Sequence, residues 1–436
     1  MSASTVLIRH GRVIDPASGR DERADLLLQG ERIVRIGALG DASADRVVDA
    51  SGCIVMPGLV DLCARLGEPG GEHKGLLESE LGAAAAGGVT SLVCPPDTDP
   101  VLDEPGLVDM LKFRARRLSR ARLFPLGALT RGLQGQALTE MAELRESGCV
   151  GFSQAEVALA DTNLLLRAFQ YAAGFGYTVW LRPQDAFLGT GMAASGALAT
   201  RLGLTGVPVV AETIALHTLI ELARATGVRL HLARLSSAAG VALVRAAKAE
   251  GLPITADVSI HSLHLTDVDI GFFNAALRLT PPLRQQADRD ALRAGLADGT
   301  LDALVSDHTP ISRHAKDVPF GEAEPGATGL ELLLSLALKW GQDTGLALPQ
   351  TLRAVTSGPA AVLGESLGGL AASVGRLVEG GVADVCVFDP TPTWALTPGA
   401  LRSQGTASPF AFDITGMALP GRVRATWVAG TLAYEA

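Results

Sequence analysis

Side chains able to hold a proton, a metal or a charge are few in this chain. It has eight His: His10, His73, His217, His231, His261, His264, His308 and His314. None forms His-x-His. His261 and His264 stand three apart just beyond a strand-like run, and His308 follows Asp307. Asp307, His308 and His261 could together hold one metal ion. The plainer reading, that they are hydrogen-bonded interior histidines, is preferred. His217 falls within an amphipathic helical pattern, and His10, His73 and His314 read as surface residues. Cys63 sits where an apolar run meets a polar turn. As a thiolate it could bind zinc, but an inert thiol is the expectation.

The elements that must position these groups follow from hydrophobic pattern. Eight short apolar runs read as strands: Cys53–Leu62, Val89–Pro95, Ala121–Leu126, Cys149–Ser153, Tyr177–Leu181, Val228–Leu235, Pro253–Ser259 and Leu301–Ser306. Between most of them lie helical patterns, among them Gly75–Ala86, Val209–Thr226 and Ala238–Glu250, the last behind the capping candidates Ser236 and Ser237. Eight such units predict a TIM (β/α)8 barrel, with any site at the C-terminal strand ends. Residues 186–199, rich in Gly, Ala and Ser, read as a flexible connection, and Asn274–Asp288 as a loop. Short β-like runs at both ends (Val6–Ile8, Arg12–Ile14, Asp25–Leu28, Arg32–Ile36, Ala383–Phe388, Val423–Val428) are separated by turn signals. One small β-domain built from both termini, residues 1–53 plus 372–436, is expected beside a barrel over 54–371.

Composition narrows the class. The chain is 47% hydrophobic with 50 Gly in 436 residues, which suits a folded α/β protein and excludes disorder. A net charge of -9 without a Lys/Arg run argues against nucleic acid or an acidic membrane as partner. The longest apolar helix candidate, Leu330–Leu338, is too short to span a bilayer, and the N-terminus shows no apolar core of signal-peptide length. Five Cys, without Cys-x-x-Cys, read as reduced thiols of a cytoplasmic protein.

Several longer stretches resemble the dihydroorotase family of the amidohydrolase superfamily. Pro57-Gly58-Leu59-Val60-Asp61 and Glu68-Pro69-Gly70-Gly71-Glu72-His73-Lys74 resemble the family's first strand and the loop after it. Residues 83–90, 201–208 with Ala211-Glu212, 246–256, Pro281-Pro282-Leu283-Arg284, 298–302 and Ser306-Asp307-His308-Thr309-Pro310 match further family motifs. The family opens or closes a cyclic amide, which takes an activated water, a Lewis acid and a cation for the substrate carboxylate. The resemblance assigns the first two to a pair of zinc ions.

At the functional places this chain departs from that pattern. The paired metal histidines fall on Cys63 and Arg65, and the substrate arginine on Gly67. The bridging carboxylate falls in Phe152-Ser153-Gln154-Ala155. The two later histidines fall on Arg182 and Arg234. Met-Pro-Asn-Thr has become Pro95-Pro96-Asp97-Thr98, and the final His of Asp-His-Ala-Pro-His is Ile311. Only Asp307 survives among the metal ligands. Arg65, Arg182 and Arg234 are expected to replace the zinc charge and hold Asp307 as a buried ion-pair partner, with Arg65 against it. The resemblance then implies no catalytic residues, no metal and no cofactor: an inactive dihydroorotase-like subunit that pairs with the catalytic chain of aspartate carbamoyltransferase, as a homodimer within a hetero-oligomer. The alternatives are an active dihydroorotase or related cyclic amidohydrolase with zinc in a rearranged site, and a small-anion sensor built on the arginines.

Overall fold

Alternating apolar residues at the two ends of the chain give strands that each need a partner face, and they find it in each other. The computed structural model describes residues 4–397 and 399–436; residues 1–3, at the start of the expected N-terminal segment, and 398 lie outside the described residues. Thr5–Asp15, Arg20–Gln29 and Arg32–Gly37 form an antiparallel meander. Val385–Ala395, Ala418–Val428 and Thr431–Glu435 form a second, and Ile54–Pro57 joins the two. Its core of Ile8, Val13, Leu26, Ile33, Val55, Val385 and Trp427 is separate from that of the barrel.

The division between the two units differs from expectation at two places. Residues 54–57 pair within the small sheet, so the run read as one strand from Cys53 to Leu62 is two, and the barrel starts at Leu59. Residues 396–397 and 399–411 also leave the small sheet and pack against the barrel. There Ser403 Oγ and Gln404 N donate to Glu80, and Thr328 N donates to Ala407 O at 2.8 Å.

The barrel strands are Leu59–Asp61, Val89–Cys94, Arg122–Pro125 continuing at Gly127–Ala128, Phe152–Ser153, Thr178–Leu181, Arg229–Leu232, Ile254–Ser259 and Ala303–Val305. They pair in parallel in that order, and a parallel bridge from Ala64 to His308 closes the ring. Almost every strand residue is buried, because helices cover the outside and side chains such as Val60, Val93, Trp180 and Val305 fill the inside. The two stretches read as loops carry structure. Ala193–Ala194 pairs with Gly206–Val207 and is followed by the helix Ala197–Leu202, while Ala275–Leu277 is a 3-10 turn and a helix starts at Gln286. Among the described residues no helix is long and apolar enough to cross a membrane.

Candidate functional site at the barrel mouth

Two networks, the first buried and the second partly buried, lie at the C-terminal strand ends. The first ties loops together. Glu212, 4% exposed on the helix Val210–Thr226, accepts from Ser236 N at 2.9 Å and Ser237 N at 3.0 Å, and from both hydroxyls at 2.5 Å. Arg284 Nε donates to Ser236 Oγ at 2.8 Å. Three separate sequence motifs are thus linked, Glu212 through its carboxylate to the two serines and Arg284 through Ser236, and the Ser237 hydroxyl also caps its helix by accepting from Gly240 N.

The second network is the arginine cluster. Arg65 donates from Nε to Asp97 at 2.9 Å and from Nη2 to Glu156 at 2.8 Å. Arg234 donates from Nη1 to Asp307 at 2.9 Å and from Nη2 to Glu156. Arg182 Nε lies 2.7 Å from Glu156 Oε2. Three guanidiniums (Arg65, Arg182, Arg234) thus face three carboxylates (Asp97, Glu156, Asp307), and the charges cancel. Burial opposes the Glu156 charge, yet Arg234, Arg182 and Arg65 together hold its carboxyl well below the usual range. Burial pushes the Asp307 carboxyl up in spite of Arg234 and Arg65. Arg234 and Asp307 both sit in left-handed backbone, φ 56 and 48, a strained setting for side-chain-bearing residues that turns the two toward each other.

The structure brings together Arg65, Arg182 and Arg234 but corrects the pairing expected for Asp307. Its partner is Arg234, not Arg65, which reaches Asp97 and Glu156 instead. Glu156 is the residue the sequence reading missed. Gln154, at the family's carboxylate place, turns away and bonds Thr130 and the Leu133 carbonyl. Ala155, at φ 48, then swings the chain so that Glu156 enters the cluster. An acidic residue just past that motif was the only available signal. Asp97 stood in a quoted motif without a role.

The remaining candidates do not assemble. His308 points out of the pocket: its Nδ1 accepts from Gly329 N at 3.2 Å, so Nε2 carries the hydrogen donated to Glu80 at 2.9 Å. It therefore does not share a ligand set with Asp307. His231 lies inside the barrel between Thr255 and Asp257, each at 2.8 Å. His264 meets the Leu336 carbonyl at 2.9 Å. His261 stacks on Phe410 with neither ring nitrogen bonded; its Nδ1 is 3.9 Å from Asp307, too long for a hydrogen bond. Burial, with Lys316 and Arg234 adding to it, pushes His261 down to about 3. Cys63 Sγ is 3.8 Å from Asp307, and burial raises its thiol well above the usual value. His10, His73, His217 and His314 are exposed. At the substrate-arginine place Gly67 has φ +79, and a Cβ there would lie 2.2 Å from the Gly75 carbonyl, so no arginine fits.

The residues present do not fit the two zinc ions that the resemblance implies. A zinc site needs several convergent His, Cys or carboxylate donors. Here the surviving Asp307 is taken by Arg234, and a dication would meet three guanidiniums. Among the described residues no group of three or more His, Cys, Asp or Glu side chains is placed to hold a metal ion.

Comparison with known proteins agrees with the fold and the retained motifs. The family described as "Dihydro-orotase-like" matches residues 52–239, and the "Amidohydrolase family" matches 162–433. A dihydroorotase-like protein of Pseudomonas aeruginosa is 44% identical over 433 residues, covering 99% of this chain and 100% of its own length. A protein named dihydroorotase from Syntrophotalea carbinolica is 38% identical over 432 residues, with 99% of each covered. Among solved structures, the L-hydantoinase (dihydropyrimidinase) from Arthrobacter aurescens superposes with a TM-score of 0.86 at 25% identity, over 100% of this chain and 96% of that one. The chain belongs to the amidohydrolase family, in its dihydroorotase-like branch.

Proposed function

We propose that this chain is a catalytically inactive, dihydroorotase-like structural subunit. It supports assembly and activity of the aspartate carbamoyltransferase catalytic chain in pyrimidine biosynthesis. It works in the cytoplasm as a homodimer within a hetero-oligomer and holds no metal. One observation carries this reading: the charge-balanced cluster of three arginines and three carboxylates stands at the strand ends where catalysis would need two zinc ions. In a centre locked by its own ion pairs the carboxylates are engaged by arginines rather than free to activate a water. The same balance weighs against the arginines acting together as an anion sensor. The unbonded ring of His261 beside Cys63 and Asp307 is what favours the rival, a rearranged zinc-dependent dihydroorotase, but His308 is committed to Glu80.

Untagged protein, dialysed exhaustively without chelator, should contain zinc near zero and turn over no dihydroorotate. Co-expressed with the transcarbamoylase catalytic chain of the same organism, it should co-purify with that chain and raise its activity. One or two zinc ions per chain with chelator-sensitive turnover would establish the rival enzyme. A transcarbamoylase fully active alone would remove the structural role.

A further inference from the structure

Arg182 differs from the other two cluster arginines. Arg234 donates three side-chain hydrogen bonds and Arg65 two. A guanidinium has five N–H donors, yet Arg182 has a single aligned bond, from Nη2 to the Glu156 carbonyl at 3.3 Å. Its Nε is close to Glu156 Oε2, but the N–H points off that line and is buried without an aligned acceptor. The side chain is only 7% exposed. Glu156 is shared among three guanidiniums, so Arg182 is the least compensated. Burial pushes its pKa down, as expected for a cation short of partners.

This arginine lines a cavity of about 140 Å³ outside the barrel, between the helices Thr162–Phe175 and Val210–Thr226. Leu159, Leu165, Ile214 and Leu219 supply the apolar part of its walls. Other polar groups in the lining make local bonds: Asp185 Oδ1 accepts from Phe187 N and Leu188 N, Gln184 Nε2 donates to the Gly189 carbonyl, and Thr218 Oγ1 donates to the Ile214 carbonyl. At the rim Phe187 is 79% exposed and Ile214 46%. The volume is close to the ~150 Å³ that accommodates a benzene ring.

We propose that this cavity binds a small monocarboxylate with a branched or aromatic body, its carboxylate taken by the Arg182 guanidinium and its body by the apolar walls. A planar guanidinium with surplus donors matches a carboxylate in both charge and fork geometry. The walls add affinity by removing apolar ligand surface from water. The site stands apart from the structural role proposed above.

Calorimetric titration with benzoate, with benzyl alcohol as the uncharged probe of the same body, tests it. Benzoate should bind saturably, and benzyl alcohol about tenfold more weakly or worse. Ala215→Trp, at a half-exposed helix position lining the cavity, should fill it and weaken benzoate by about tenfold or more. Thr218→Phe serves the same purpose from the next turn if the first variant fails to fold. Arg182→Gln should remove the preference for benzoate over the alcohol. Benzoate that does not saturate, or that binds equally well to a folded cavity-filling variant, would overturn the proposal.

Discussion

The two networks at the barrel mouth differ in what their members share. Glu212, Ser236, Ser237 and Arg284 lie in or beside stretches that keep the family's residues, and they bond to one another. Arg65, Arg182, Arg234, Asp97 and Glu156 stand at or beside places that depart from it, and they too bond to one another, with Asp307 the one retained member. The frame that holds the loops is kept, and the centre within it has been rebuilt as one unit. The networks also differ in redundancy. The frame hangs on a single buried carboxylate, whereas in the centre Glu156 is bonded by several guanidiniums.

That difference predicts an order of damage. Glu212→Ala strips four hydrogen bonds from one buried acceptor and leaves Ser236 N, Ser237 N and the two serine hydroxyl hydrogens without their acceptor, at a cost of about 4–5 kcal/mol. Arg234→Met leaves Asp307 buried without its partner but leaves Arg65 and Arg182 on Glu156, so about 3–4 kcal/mol is expected. Urea midpoints of the two variants measure the difference. A centre variant that costs more than the frame variant would mean the arginines now hold the mouth together, and the comparison would be reversed.

What the sequence revealed followed from range. Barrel strands were legible because runs such as Ala303–Val305 are apolar throughout, as suits a strand buried on both faces. The arginines were legible from their places in motifs. The role of Glu156 was not, because a left-handed step at Ala155, invisible in composition, delivers it. His308 was expected to be a hydrogen-bonded interior histidine, but its partner was hidden for a similar reason: Glu80, which turns it away from Asp307, is 228 residues distant, and Ser403 reaches the same carboxylate from the far end of the chain. The helix Ala197–Leu202 was hidden by Gly, Ala and Ser around it, since tertiary packing rather than propensity decides so short an element.

A second test separates the cluster from its histidine neighbour by pH. His261 is held neutral when folded, near 3, while the unfolded chain takes up a proton near 6.5. A depressed histidine contributes stability that is present above about 6.5 and lost as pH falls toward the folded value. Asp61, raised to about 6, and Glu331, raised to about 7, work the other way, since buried carboxyls stay protonated where the unfolded chain ionises. The parent protein should therefore show a muted slope in this range. His264, likewise pushed down to about 3 by burial, acts in the same direction as His261. His261→Phe keeps the stack on Phe410 and removes one of these two histidine contributions. Relative to the parent, the variant should gain about 2 kcal/mol between about pH 7.5 and about pH 5. An unchanged difference at the two pH values would mean that His261 is not buried in its neutral form.

The smallest effect tests the corrected pairing. Arg65 is 18% exposed, Asp97 beside it is 23% exposed, and Glu156 keeps two other guanidiniums when Arg65 is lost. Arg65→Ala should therefore cost about 1–2 kcal/mol, between the values typical of surface and buried pairs. The informative measurement is a pair of double-mutant cycles. With Asp307→Asn, which the left-handed backbone tolerates, Arg65→Ala should be additive to within about 0.5 kcal/mol. With Glu156→Gln it should couple by about 1 kcal/mol. Coupling to Asp307 of the same size as to Glu156 would mean that the three carboxylates share their charge across the whole centre rather than through the contacts each arginine makes.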